Sequence, residues 1–191
     1  MAVATIPHAG DHHAEVKRPA MNQAGLWLFF FSETFLFAAL LSARYYIAGF
    51  HQPTEVNQAL GLAITTILIA SSFTAYLAET AIAHGDRAGM QRFLLLTIIL
   101  GLVFVGGVAV EWWTAEFKPS EPFGTAFFSM TGLHASHVFS GIGILFLVYL
   151  LGRKGRFTAE SHWGVEATIK YWHFVDVVWV FFYPALYLAS W

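Results

Sequence analysis

The chain has 191 residues, 57% of them hydrophobic and only 12% charged, with a net charge of −2. Soluble domains carry about twice that share of charge, and so even a balance offers no basic surface for nucleic acid. The absence of cysteine excludes disulfides, thiolate metal sites, iron–sulfur clusters and covalently attached haem c, so a copper centre that needs thiolates would have to sit on another chain.

Residues 1–22 are polar and hold His8, His12, His13, Lys17 and Arg18. This composition suits a disordered tail better than a metal site. No short apolar stretch followed by a small-residue cleavage site is visible, so no removable signal peptide is expected. From residue 23 onward the apolar residues fall in long blocks, not in amphipathic stripes. Blocks at about 25–48, 57–83, 90–115, 124–151 and 165–189 are each long enough to cross about 30 Å of hydrocarbon as helix. The reading is an all-α, polytopic membrane bundle of five transmembrane helices, occupying residues 23–191 as one domain. Pro53, the segment Lys118-Pro119-Ser120-Glu121-Pro122, Gly152 with Gly155, and His84-Gly85-Asp86-Arg87 punctuate the connections. Pro184 should kink the last span or end its regular part. No internal repeat is visible, which disfavours a transporter built from inverted repeats.

Basic residues set the orientation. Lys17, Arg18, Arg87, Arg92, Arg153, Lys154, Arg156 and Lys170 fall on the N-terminal side, against Arg44 and Lys118 on the other. That bias places the N-terminus in the cytoplasm and the C-terminus outside. Trp112, Trp113, Trp163 and Trp191 lie near span ends, where aromatic belts are expected.

Polar residues inside the spans are the candidate site. Glu33 lies in a run of Phe and Leu about eight residues into the first span, roughly 12 Å deep. It is either a proton-carrying or lipid-contacting acid, or a carboxyl hydrogen-bonded to a neighbouring helix. His134 and His137 share a face of the fourth span, as His173 and Asp176 do in the fifth. An ionisable pair in hydrocarbon costs several kcal/mol unless it is partnered or turned toward protein, so it marks a site. The depths allow Glu33, His137, His173 and Asp176 to meet. Interhelical hydrogen bonds, each worth about 0.6–2 kcal/mol, are preferred to metal ligation. Two histidines one turn apart cannot hold opposite faces of a haem, and the spread of ligands that a bis-histidine haem needs is missing, so no metal site is assigned. Glu79, Glu111 and Glu166 lie near span ends and are expected to be solvated or paired. Gly101, Gly106, Gly107, Gly141 and Gly143 are expected to let helices approach closely. Arg153, Lys154 and Arg156 form a basic cluster at the inner surface, suited to anionic lipid heads at about 1 kcal/mol each or to a plain positive-inside anchor.

These motifs together resemble subunit III of the haem–copper terminal oxidases. The matching pieces are Ser32-Glu33 with its flanking aromatics, His84-Gly85-Asp86-Arg87, Glu111-Trp112-Trp113 and Gly124-Thr125-Ala126-Phe127-Phe128. They continue with Thr131 through Val138, then Glu166, and end with Tyr171-Trp172-His173-Phe174-Val175-Asp176-Val177-Val178-Trp179. The resemblance covers all five spans in order. It implies a subunit that is not catalytic by itself and carries no haem or copper, those residing on partner subunits. It implies packing on the catalytic subunit I, with subunit II and a small subunit IV, in a bacterial-type cytoplasmic membrane. It also implies phospholipid bound within the bundle, support of proton uptake, and durability during turnover. Glu33 matches the buried carboxyl that carbodiimides modify in this family. His134, His137, Glu166, His173 and Asp176 match its other characteristic polar positions, and Arg153, Lys154 and Arg156 its basic residues near lipid heads. Longer members have two further spans at the N-terminal side, and many carry Gly-Leu where this chain has Ala135-Ser136.

The reading is therefore an accessory subunit of a proton-pumping aerobic oxidase of the cytochrome c oxidase type. Its rivals are a subunit of a quinol oxidase or of a nitric oxide reductase-associated homologue, a membrane haem b electron carrier using His134, His137 and His173, and a small transporter.

Overall fold

The computed structural model describes residues 10–50 and 56–188, and side-chain environments from residue 21. Helix α1 spans Gly10–Ala48, α2 Gln58–Ala83, α3 Arg87–Thr114, α4 Pro122–Arg153 and α5 Trp163–Tyr183; one π-helical turn, Pro184–Leu188, follows. Among the described residues there is no strand. The polar junctions carry the caps. The Asn57 side chain accepts from the Leu60 N–H at 3.0 Å, and Asp86 from the Gly89 N–H at 2.8 Å; each satisfies a donor that the first turn leaves open. Pro122 opens α4, where its missing N–H costs nothing.

The five apolar blocks fall on the five helices. Met21–Ala48, α2, α3 and α4 are long and apolar enough to cross a membrane. The 21 residues of α5 reach roughly 32 Å, but Glu166, Lys170 and Asp176 interrupt its apolar run. Two boundaries differ from expectation. Residues 10–22, expected as unordered tail, lie within α1. The fifth block ends its α-helix at Tyr183, because Pro184 has no N–H to give and the chain widens into a π turn. Gly152, expected in a turn, is the penultimate residue of α4 and is buried; Gly85 and Gly155, at φ +80° and +72°, make the turns. Pro53, His8 and Trp191 lie outside the described residues.

The chain divides into two units, Met1–Leu36 and Phe37–Trp191. Within the second, α2 packs on α3, α3 on α4, α4 on α5, and α5 returns to α2, closing a ring of helices. Phe104, Phe127, Trp172 and Trp179 fill it. Phe73, Phe139, Leu147, Val177 and Phe181 point outward and are exposed, as suits side chains solvated by lipid tails. Close approach is set by three of the five glycines expected to provide it. A side chain at Gly101 would stand 2.7 Å from the Trp172 ring, one at Gly141 would stand 3.0 Å from it, and Gly107 lies under Ile64. Gly106 and Gly143 face open space instead. The last turns of α1 belong to this unit. Phe37 lies 4.8 Å from the His137 ring and 5.7 Å from Phe182, and the buried Arg44 guanidinium reaches the Gly49 carbonyl at 2.7 Å and lies 4.9 Å over the Phe123 ring.

Candidate functional site

A polar seam joins α2 to α5. Its rungs, from the Leu188 end inward, are Gln58 donating to the Tyr187 carbonyl at 3.2 Å, Trp179 Nε1–H donating to Thr65 at 2.9 Å, and Trp172 Nε1–H donating to Ser71 at 3.0 Å. At the deepest rung the Ser72 hydroxyl donates to Asp176 Oδ2 and its oxygen lies 3.0 Å from His173 Nδ1. A hydroxyl has one proton and two lone pairs, so with that proton on Asp176 the bond to His173 is completed by the Nδ1–H. Asp176 is 7% exposed and its Oδ1 has no partner; His173 and Ser72 are half-buried. His173 and Asp176, spaced i, i+3 on α5, meet through a serine on another helix. Thr65, Ser71, Ser72 and Thr74, small hydroxyls in the middle of a largely apolar 26-residue helix, were the available signal. Thr74 ties α2 to α3 through Thr97 at 2.8 Å.

His134 does not join this node. His134 is 0% exposed, tilted on the Trp179 ring at 4.7 Å and edge-on to Phe104 at 5.6 Å. Neither of its ring nitrogens has a hydrogen-bond partner. The interhelical hydrogen bond expected of it is therefore absent, because its neighbours in α3 and α5 are aromatic faces. His137, though one turn away, lies on the Phe37 ring and bonds back to the Leu133 carbonyl of its own helix at 2.9 Å. The Ser140 hydroxyl, one turn further on, meets Tyr171 at 2.9 Å. Glu33 is half-buried and lies in the unit Met1–Leu36. Among the described residues no group of three or more His, Asp or Glu stands together as metal ligands would.

Of the carboxylates near span ends, Glu166 pairs with Lys170 of its own helix at 3.3 Å, and that ammonium lies 5.2 Å over Trp163. Glu79 is half-buried. Glu111 is partnered, not solvated: it is 4% exposed, and Tyr187 donates to its Oε2 at 2.6 Å. The residue that captures it was not singled out in the sequence, because only the π turn brings Tyr187 inward. Trp112 donates to Thr131 at 3.0 Å, whereas Trp113 is 91% exposed, as a belt residue would be. Arg153, Lys154 and Arg156 are all exposed where α4 ends.

Helices long and apolar enough to cross a membrane, with a hydroxyl–imidazole–carboxyl node between α2 and α5, define an integral membrane protein. The comparisons give it a family. The sequence matches cytochrome c oxidase subunit III over residues 3–191. It is 35% identical over 192 residues to cytochrome c oxidase subunit 3 of Thermostichus vulcanus, covering 97% of this chain and 92% of that one. It is 35% identical over 189 residues to the subunit 3 of Rattus norvegicus, covering 92% of this chain and 72% of that one, and 36% identical over 191 residues to that of Ornithorhynchus anatinus, with the same coverage. The chain belongs to the subunit III family of the haem–copper oxidases, and so to a membrane-embedded oxidase complex.

Proposed function

We propose that the chain is a non-catalytic subunit III of a proton-pumping oxidase of the cytochrome c oxidase type. It packs on subunit I, with subunit II and a small subunit IV, in a bacterial-type cytoplasmic membrane with its N-terminus inside. It binds phospholipid, supports proton uptake and prolongs turnover, while haem and copper stay on the partner subunits. Glu33, His137 and the basic triplet Arg153, Lys154 and Arg156 serve that role as proton- and lipid-related groups.

The observation that carries the reading is the Ser72–His173–Asp176 node. It is a set of exchangeable protons in the middle of a span, half-open at His173, with one carboxylate oxygen still free to accept. An unmet acceptor in a low dielectric costs about 1–3 kcal/mol, so Asp176 Oδ1 is open to a further donor. Purification in mild detergent through an N-terminal tag tests the partnership: a haem–copper catalytic subunit should come with the chain, and its haem bands and donor subunit identify the oxidase type. Asp176→Asn and Glu33→Ala in that complex should leave the initial rate near wild type and shorten the number of turnovers before inactivation. A colourless chain recovered alone, or variants with unchanged turnover lifetime, would refute it.

A further inference from the structure

A second polar feature lies where α3 finishes and α2 and α4 begin, at the end of the helix ring opposite the basic loops. Val56, Asn57, Glu111, Thr114, Ala115 and Phe117 line an open-mouthed cavity there of about 20 Å³, room for about one water. Glu111 is nearly enclosed, yet its Oε1 has no partner while Oε2 is taken by Tyr187. The other side chains near the wall do not compete for Oε1. Asn57 accepts from the Leu60 N–H through its Oδ1 and Thr114 donates to the Val110 carbonyl, and neither side chain bonds to Oε1. Arg44 of α1 is turned to the Gly49 carbonyl and the Phe123 ring. The titratable groups facing Glu111 from the last helix are Tyr187 and, stacked on it at 5.1 Å, Tyr183.

We propose that this cavity holds a water bound to Glu111 Oε1, and that through it Glu111 exchanges its proton with the aqueous phase at the end opposite the basic loops. The geometry argues for it in three ways. The buried acceptor needs a donor, the cavity that Glu111 helps to line is of a size to supply one, and the residues that line it stand at the span end. Tyr187 then serves to hold the carboxyl toward the cavity. This acid is separate from the Ser72–His173–Asp176 node, which sits deeper between α2 and α5, and the inference does not depend on the function proposed for that node.

Infrared difference spectroscopy on the intact complex in sealed vesicles tests this, with the pH stepped on one side at a time. The sides are assigned by protease cleavage in the loop at 154–162. A carboxyl band should follow the pH on the side opposite that loop, move on transfer to D2O, and vanish in Glu111→Gln. In Tyr187→Phe, which keeps the ring, it should persist but shift to higher frequency, since the carboxyl loses its hydrogen bond. A spectrum unchanged by Glu111→Gln would overturn the proposal, as would a band that follows the pH on the loop side. If Glu111→Gln does not assemble, the Tyr187→Phe shift decides alone: no shifted band, no exchangeable carboxyl there.

Discussion

His134, on α4, and His173, on α5, both come from motifs that stand out in the sequence, but they occupy opposite environments. His173 shares a serine with Asp176 and is half-open. His134 is sealed among Trp179, Phe104 and Phe182 with both ring nitrogens unmet. The difference teaches that a polar residue in a span is stabilised either by a partner atom or by an aromatic surface. Spacing within a single helix does not say which. Near-identical i, i+3 signatures, His134–His137 and His173–Asp176, gave one aromatic box and one hydrogen-bonded node, because α3 presents Phe104 where α2 presents Ser72.

Variants can break or sharpen this contrast. The largest effect belongs to Trp179→Ala, which removes the ring beneath His134 and the donor to Thr65 together. A loss of about 3–5 kcal/mol is expected for so large a buried aromatic, read as unfolding in a detergent or denaturant titration. Next comes Gly101→Val. Its side chain would collide with Trp172, and overpacking of this kind costs about 1–3 kcal/mol; a fully stable variant would mean that the ring can swing aside. At the node, a double-mutant cycle of Ser72→Ala and Asp176→Asn should return a coupling of about 0.6–1.7 kcal/mol, the range of hydrogen bonds within membranes. At the box, His134→Leu should change stability by less than about 1 kcal/mol or even raise it, since two unmet polar atoms disappear. Should His134→Leu prove more damaging than His173→Leu, the contrast drawn above fails. Glu166→Gln is the smallest: an i, i+4 pair with Lys170 at the surface is worth about 0.3–0.5 kcal/mol.

Much of this was legible beforehand. Long apolar blocks separated by Pro and Gly place five helices, since hydrocarbon forces every backbone group to bond within its own segment. The depth of His173 and Asp176 follows from counting residues. The partners do not: Ser72, Thr65 and Tyr187 are ordinary residues until two helices are set side by side. Glu111 looked interfacial because it sits beside two tryptophans near a span end. It is buried because Tyr187 turns in to meet it, and no property of Glu111 itself announces that. The helical start at Gly10 was likewise hidden by a composition that suits a solvated tail.

The π turn at Pro184–Leu188 amounts to one residue more than an α-helical turn would hold. An α-helix advances by about 100° per residue, so the extra residue resets the angular phase of everything after it. Tyr187 reaches α2 and α3, and Ala185 and Leu186 are buried with it, on a phase that belongs to the widened turn. The length of the chain between Pro184 and Tyr187 therefore works as a fixed gauge. Removing one residue there would keep every chemical group of the cavity and turn the tyrosine out among the lipid tails, leaving Glu111 without its partner.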